Sequence, residues 1–442
     1  MSDGHFSAAG IIGLSLSCLA VLLALRAQRH DEEKVLPRVL SVGLLLQFGA
    51  LLARPAGVYF QGGPALLAVV PVAVGLMAVL VGTVIARAPL AGKATLPLLL
   101  ALFGLCCAAT LLASPEPRID VFVFQKTSAQ ALLRGLNPYT LEFPNIYGRT
   151  DYFGPGVADA RWLHFGFVYP PLSLLFSTLA QGLFGDVRTA QGLALLATLV
   201  LLTRMGGSHA LPAALLFLST PRIFFVLEQS WTEPFAILLL ASCLMAAQRR
   251  PRLLPLAFGL LLAVKQYTFI LVPLTPLLLG FPFSWQRTLR FLLQSLAVAL
   301  VVTLPFVLWN PAAFYRSVLW LQTVQPFRVD TLGFLALWTE AGHAPPPVVP
   351  FFVAATLLAT AWALRRFPAT PAGFAAGAAL VLLGFFAFNK QAFCNSYFFV
   401  LGALSCALAA GQARSEPAQA SNRTLRSPTS AKAQGESSAS AS

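Results

Sequence analysis

The chain has 442 residues, of which 57% are hydrophobic and only 10% charged, whereas a soluble domain carries about 25% charged residues. Such a chain cannot cover itself with polar surface, which excludes a soluble globular protein and leaves lipid as its solvent. The net charge of +14 does not point to nucleic acid, because the basic residues sit in short loops between apolar runs (Arg249, Arg250 and Arg252; Arg287 and Arg290; Arg365 and Arg366), as the positive-inside rule distributes them, and no soluble basic domain carries them.

In chain order, the apolar run over 7–25 lacks a basic leader and a small-residue cleavage site, and reads as a retained span. Runs long enough to cross a hydrocarbon core, which takes roughly 20 apolar residues, follow over 37–53, 64–86 and 95–114. The segments "RAQRHDEEK" and "ARAPLAGK" make basic or mixed inner loops, so 115–166 falls outside, with five basic and five acidic residues in balance. Next, "FVYPPLSLLFSTLAQGLFGD" (167–186) is apolar enough to span, yet counting it would turn "QRRPR" (248–252) outward. Laid along the outer interface instead, it leaves spans over 189–203, 210–226, 234–248, 253–264, 267–281, 290–309, 347–364, 371–388 and 395–411 with each basic loop inside.

The expected fold is therefore all-α: a polytopic transmembrane helical bundle of about thirteen spans with interfacial helices on its outer face. It divides into N-terminal spans (1–94), a membrane module (95–412) that includes the outer loop 115–188, and a Ser/Ala-rich tail (413–442) expected to be disordered and cytoplasmic. Cys18, Cys106, Cys107, Cys243 and Cys406 lie inside apolar runs as packing residues, and Cys394 lies near a polar loop, so neither a disulfide framework nor a metal spacing emerges.

The polar chemistry collects on the outer side. Asp120 opens "DVFVFQKTSAQALLRG", which reads as an interfacial helix stopped at Gly135 and Asn137–Pro138. A carboxylate there caps the helix or serves as a general base, and the two roles are compatible. Tyr169-Pro170-Pro171 marks a second helix start. Glu228 and Glu233 flank Trp231 in "LEQSWTEP"; Glu233 stands where a cap would, while Trp231 is an interface-belt residue or a sugar-stacking platform. Lys265 interrupts "LLLAVKQYTFILV". A lysine in hydrocarbon costs about 2.5–3.5 kcal/mol, so it needs an anion, or it snorkels to the interface. Lys390–Gln391 and Asn395–Tyr397 form a further cluster, and Arg316 and Arg328 are further cations in the 310–345 loop.

An acid just beyond a span, an interfacial helix, "GLNPY" and then "YPPLSLLF" resembles the C-type (GT-C) membrane glycosyltransferases, most closely the polyprenyl-phosphomannose-dependent glycosyltransferase family 87. The likeness continues through "STPRIFFVLEQSWTEP", "GLLLAVKQYTFILVPL" and "NKQAFCNSYFF" and covers about residues 95–410. The resemblance implies a GT-C-like catalytic module over 95–412 in a plasma membrane, the inner one in bacteria, with its site facing outside. It also implies transfer of a sugar of the mannose type from a polyprenyl-phosphate donor to a hydroxyl of a glycan, lipid or protein acceptor. The bilayer itself is a partner and nucleic acid is not. Asp120 would be the base of an inverting displacement, and the second acidic position falls on Glu228 or Glu233. Candidate substrate-binding residues are Lys126, Asn137, Tyr139, Tyr169, Trp231, Lys265, Gln266, Arg316, Lys390, Gln391 and Tyr397. No outer Asp-x-Asp pair is present, so no metal ligand and no cofactor beyond the donor is assigned. The alternative is a transporter or flippase for a lipid-linked sugar, which usually shows an internal repeat and midplane polar residues; the polar residues here crowd one face instead.

Overall fold

A computed structural model of the chain describes residues 5–15, 32–53, 56–86, 93–207, 209–280 and 282–411. Its elements are helical apart from one short hairpin, Phe143–Pro144 with Trp162–Leu163. Among the described residues four helices are long and apolar enough to cross a membrane: Pro64–Ile85, Thr95–Ala113, Trp285–Trp309 and Val348–Arg366. A fifth is added if the bent pair Pro171–Phe184 and Arg188–Arg204 counts as one span. Other apolar segments, such as Pro371–Ala387 and Cys394–Ala410, form helices of 10–17 residues. The expected span at 7–25 and the tail 413–442 lie largely or wholly outside the described residues.

The exterior identifies the solvent. Helix Trp285–Trp309 turns Leu289, Leu293, Leu300, Val301 and Leu308 outward, an apolar stripe at helical spacing that in water would be a large exposed patch. Helix Val348–Arg366 buries only Thr360 and Ala363 and leaves Val349, Leu357 and Leu358 exposed. This is a membrane-embedded all-α protein. Its core runs along Glu233–Arg249, where Phe235, Ala236, Ile237, Leu240, Ala241, Cys243 and Leu244 are sealed from solvent. Cys106, Cys107, Cys243 and Cys406 are buried thiols.

One expected span is broken, for a local reason. The run 210–226 forms helices Ala210–Leu218 and Ile223–Glu228, because Pro221 has no N–H to continue the first and Arg222 adopts φ +69°. The runs 253–264 and 267–281 form helix Leu254–Leu262 and then a 3-10 segment, Gln266–Leu274; between them Lys265 is extended.

The segment 115–188 folds as a layer on one end of the bundle. Helix Asp120–Leu133 packs against helix Pro171–Phe184, and the latter makes an angle of 109° with the following helix, Arg188–Arg204. Helix Asp120–Leu133 stops before Gly135 at φ +74°, and Pro171–Phe184 before Gly185 at φ +78°, left-handed positions that glycine takes at no steric cost. Arg188 is fully buried beneath this layer. Its guanidinium pairs with Asp186 at 2.6 Å, donates to the Ser114 carbonyl at 2.7 Å, and so ties the layer to the end of helix Thr95–Ala113.

Gly166 crosses the Tyr139 backbone so closely that a Cβ would lie 2.2 Å from the Tyr139 carbonyl oxygen. Gly166→Ala is expected to cost about 1–3 kcal/mol, read as a lower melting temperature in detergent; an unchanged melting temperature would show that this crossing yields without cost.

Candidate functional site

Asp120, the first residue of its helix, faces a cavity of about 880 Å³ beneath the 115–188 layer. Its Oδ1 accepts the Val121 N–H at 2.8 Å. The Asp120 N–H donates to the Tyr147 hydroxyl at 3.2 Å. Burial raises the Asp120 carboxyl above the usual carboxylate range, and Arg328 and Tyr147 oppose that rise. A carboxylate held this way suits a general base working nearer neutral pH than a free aspartate.

The cavity wall also includes Tyr169, Trp231, Lys265, Gln266, Arg328, Lys390 and Gln391, so much of the expected set converges from distant parts of the chain. Trp231 is buried and packs edge-on to Phe225 at 5.4 Å, which removes the interface-belt alternative. Gln266 spans the carbonyls of Val168 and Val318 at 2.6 and 3.2 Å, and Gln391 donates to the Pro326 carbonyl at 3.1 Å.

The cations are not equivalent. Lys265 is only 6% exposed, so it does not snorkel, and its anion comes from within the chain. It donates to Glu233 Oε1, which also accepts from Tyr267 at 3.0 Å and Asn395 at 2.8 Å. The Lys265 ammonium lies over the rings of Tyr169 and Tyr267 at 5.0 and 5.3 Å. Glu233 is thus a buried counter-ion, not a helix cap. Arg328 pairs with Asp330 through two bonds of 2.9 and 2.6 Å and stacks on Tyr152 at 3.9 Å. Lys390 differs: its ammonium meets only neutral carbonyls, those of Gln322 at 2.5 Å and Gln325 at 2.8 Å, with Thr323 at 3.5 Å. No carboxylate cancels its charge among the described residues, and desolvation lowers its pKa.

Other expected residues serve the scaffold. Glu228 is fully buried, and its carboxylate accepts the backbone N–H groups of Val58 and Tyr59 at 2.7 and 2.8 Å. That bond places Tyr59 on the cavity wall, so the N-terminal spans contribute to the site instead of standing apart from it. Gly57 permits the approach, since a Cβ there would lie 2.4 Å from Glu228 Oε1. Asn137 caps the turn Pro138–Thr140 by accepting the Tyr139 N–H at 2.9 Å, and Tyr139, buried among Phe167, Phe306 and Phe314, donates to the Tyr169 carbonyl at 3.0 Å. Lys126 pairs with Glu116 at 2.5 Å outside the cavity lining. Arg316 is exposed over the Trp320 ring at 5.8 Å, and the Tyr397 hydroxyl donates to the Leu332 carbonyl. None of these lines the cavity.

Sequence reading missed His5, Tyr59, Tyr147 and Tyr152, which share the wall with Asp120; a loop tyrosine carries no periodic signal that would flag it. Among the described residues no cluster of His, Cys, Asp and Glu could hold a metal ion. No family model, curated protein or solved structure matches the chain.

Proposed function

We propose that the protein is an integral membrane glycosyltransferase of the C type, a bundle of about thirteen spans. It would move a mannose-type sugar from a polyprenyl-phosphate donor to an acceptor hydroxyl on the extracytoplasmic side. The observation that carries this reading is electrostatic. One cavity holds a carboxylate and a cation, Asp120 and Lys390, neither neutralised among the described residues by an opposite charge in direct contact, while Lys265–Glu233 and Arg328–Asp330 are internally paired. A displacement at an anomeric carbon needs that separation: a base on the face where the hydroxyl attacks and positive charge where the phosphate leaves. As the C–O bond to the acceptor forms, the bond to phosphate breaks, the hydroxyl proton passes to Asp120, and the polyprenyl phosphate departs with the electron pair. The wall formed by Val348, Val349 and Phe352, on helix Val348–Arg366 with its exposed apolar surface, and by Phe385 on helix Pro371–Ala387 suits a donor that arrives from lipid.

Purified protein in nanodiscs, given polyprenyl-phosphate [¹⁴C]mannose and a membrane-extract acceptor, is expected to form labelled product; none across a panel of polyprenyl-phosphate sugars would refute the reading. Lys390→Gln is expected to raise KM for the donor by about 10- to 100-fold, the loss of a charged hydrogen bond, with a smaller change in kcat. An unaltered KM would remove Lys390 from phosphate binding.

A second reading, movement of a lipid-linked sugar across the bilayer, is favoured by the helix broken at Lys265, since transporters bind at such breaks. It predicts flux across proteoliposomes that persists in Asp120→Asn.

A further inference from the structure

We propose that Tyr147 is a positioning residue for Asp120: its phenol stands in for the missing cap of helix Asp120–Leu133 and fixes the direction in which the carboxylate enters the cavity. The proposal rests on Asp120 being the base. The residue before the helix, Ile119, is extended and offers no side-chain cap, so the first-turn N–H groups need other acceptors. Tyr147, delivered by the loop after the Phe143–Pro144 strand, accepts one of them, that of Asp120 at 3.2 Å. Asp120 Oδ1 takes the next, that of Val121 at 2.8 Å. With Oδ1 turned to the backbone, Oδ2 is the edge left for an acceptor hydroxyl.

The phenol is itself held. Its ring packs edge-on to Tyr152 at 5.8 Å, and Tyr152 carries the Arg328 guanidinium at 3.9 Å. Other titratable groups share this surrounding: Arg328 from the 310–345 loop, Tyr169 ahead of the surface helix, Tyr59 beside Tyr147, and His5, Lys265 and Lys390 on the same wall. Burial and the Asp120 charge push the Tyr147 phenol far up, so it keeps its proton at any working pH, and its hydrogen bonding with Asp120 holds the carboxyl below where burial alone would put it.

The test is an infrared titration of the full-length protein in nanodiscs, with the Asp120 carboxyl band assigned by its absence in Asp120→Asn. Tyr147→Phe removes the hydroxyl and is expected to move the Asp120 midpoint up by about one pH unit, and the acid limb of transfer activity by the same amount. A midpoint that stays in place overturns the proposal. A midpoint that moves while the acid limb does not would uphold the positioning and reject Asp120 as base, which separates the two claims. Should Tyr147→Phe fail to fold, Tyr147→Gln keeps an amide able to accept and donate; a midpoint within about half a unit of the natural protein supports a hydrogen-bond role, and a full unit's rise overturns it.

Discussion

Asp120→Asn is expected to leave the protein folded and to lower sugar transfer by about 10²- to 10⁴-fold, the usual contribution of a positioned general base. The amide keeps the shape of the carboxylate and can still accept the Val121 N–H that Oδ1 now takes at 2.8 Å, so helix Asp120–Leu133 retains its start. What is lost is the ability to take a proton. The same residue sets the pH response. Its folded pKa is raised by burial, and a base works only when deprotonated, so activity falls as pH drops through a midpoint above the ordinary aspartate range. The check is a kcat profile in nanodiscs with a matched circular-dichroism spectrum. Activity of Asp120→Asn within threefold of the natural protein would remove Asp120 from proton transfer.

The second large effect falls on stability. Lys265→Met alone is expected to cost about 3–5 kcal/mol, because it strands a buried carboxylate. Glu233 is fully buried, and one of its oxygens gathers Lys265 and Tyr267 from the start of the 3-10 segment and Asn395 from helix Cys394–Ala410. Removing the lysine also removes the cation held between the Tyr169 and Tyr267 rings. Changing both members, as Glu233→Gln with Lys265→Met, is expected to recover much of the loss, since no unpaired charge then remains. Thermal melting in detergent reads both variants. A single variant as stable as the natural protein would mean that water or lipid phosphate, and not Glu233, answers the lysine.

The difference between these residues shows what a sequence can carry. Local chemistry was readable: the helix opening at Asp120, its stop at Gly135 and the start at Pro171 are written in adjacent residues and recur in the structure. Pairing across the fold was not. Nothing near Lys265 announces Glu233, which lies 32 residues away on another helix, and an intramembrane lysine considered alone asks for an external anion. Glu228 shows the same limit. Its carboxylate is spent on two backbone N–H groups 170 and 169 residues distant, so a buried acid expected to do chemistry instead holds a loop. Tyr139 belongs to a recognisable motif, yet its hydroxyl serves the backbone at Tyr169. The break at Pro221 was legible but masked by the hydrophobicity around it.

The most direct measurement is photocrosslinking of the donor. A polyprenyl-phosphate sugar with a diazirine on the isoprene next to the phosphate would be irradiated with the protein in nanodiscs and the labelled peptides mapped. The account predicts label on the cavity wall, in peptides bearing Phe352, Phe385 or Lys390, and loss of label when unmodified donor competes. Label confined to the outward stripe of helix Trp285–Trp309, or insensitive to competition, would contradict it.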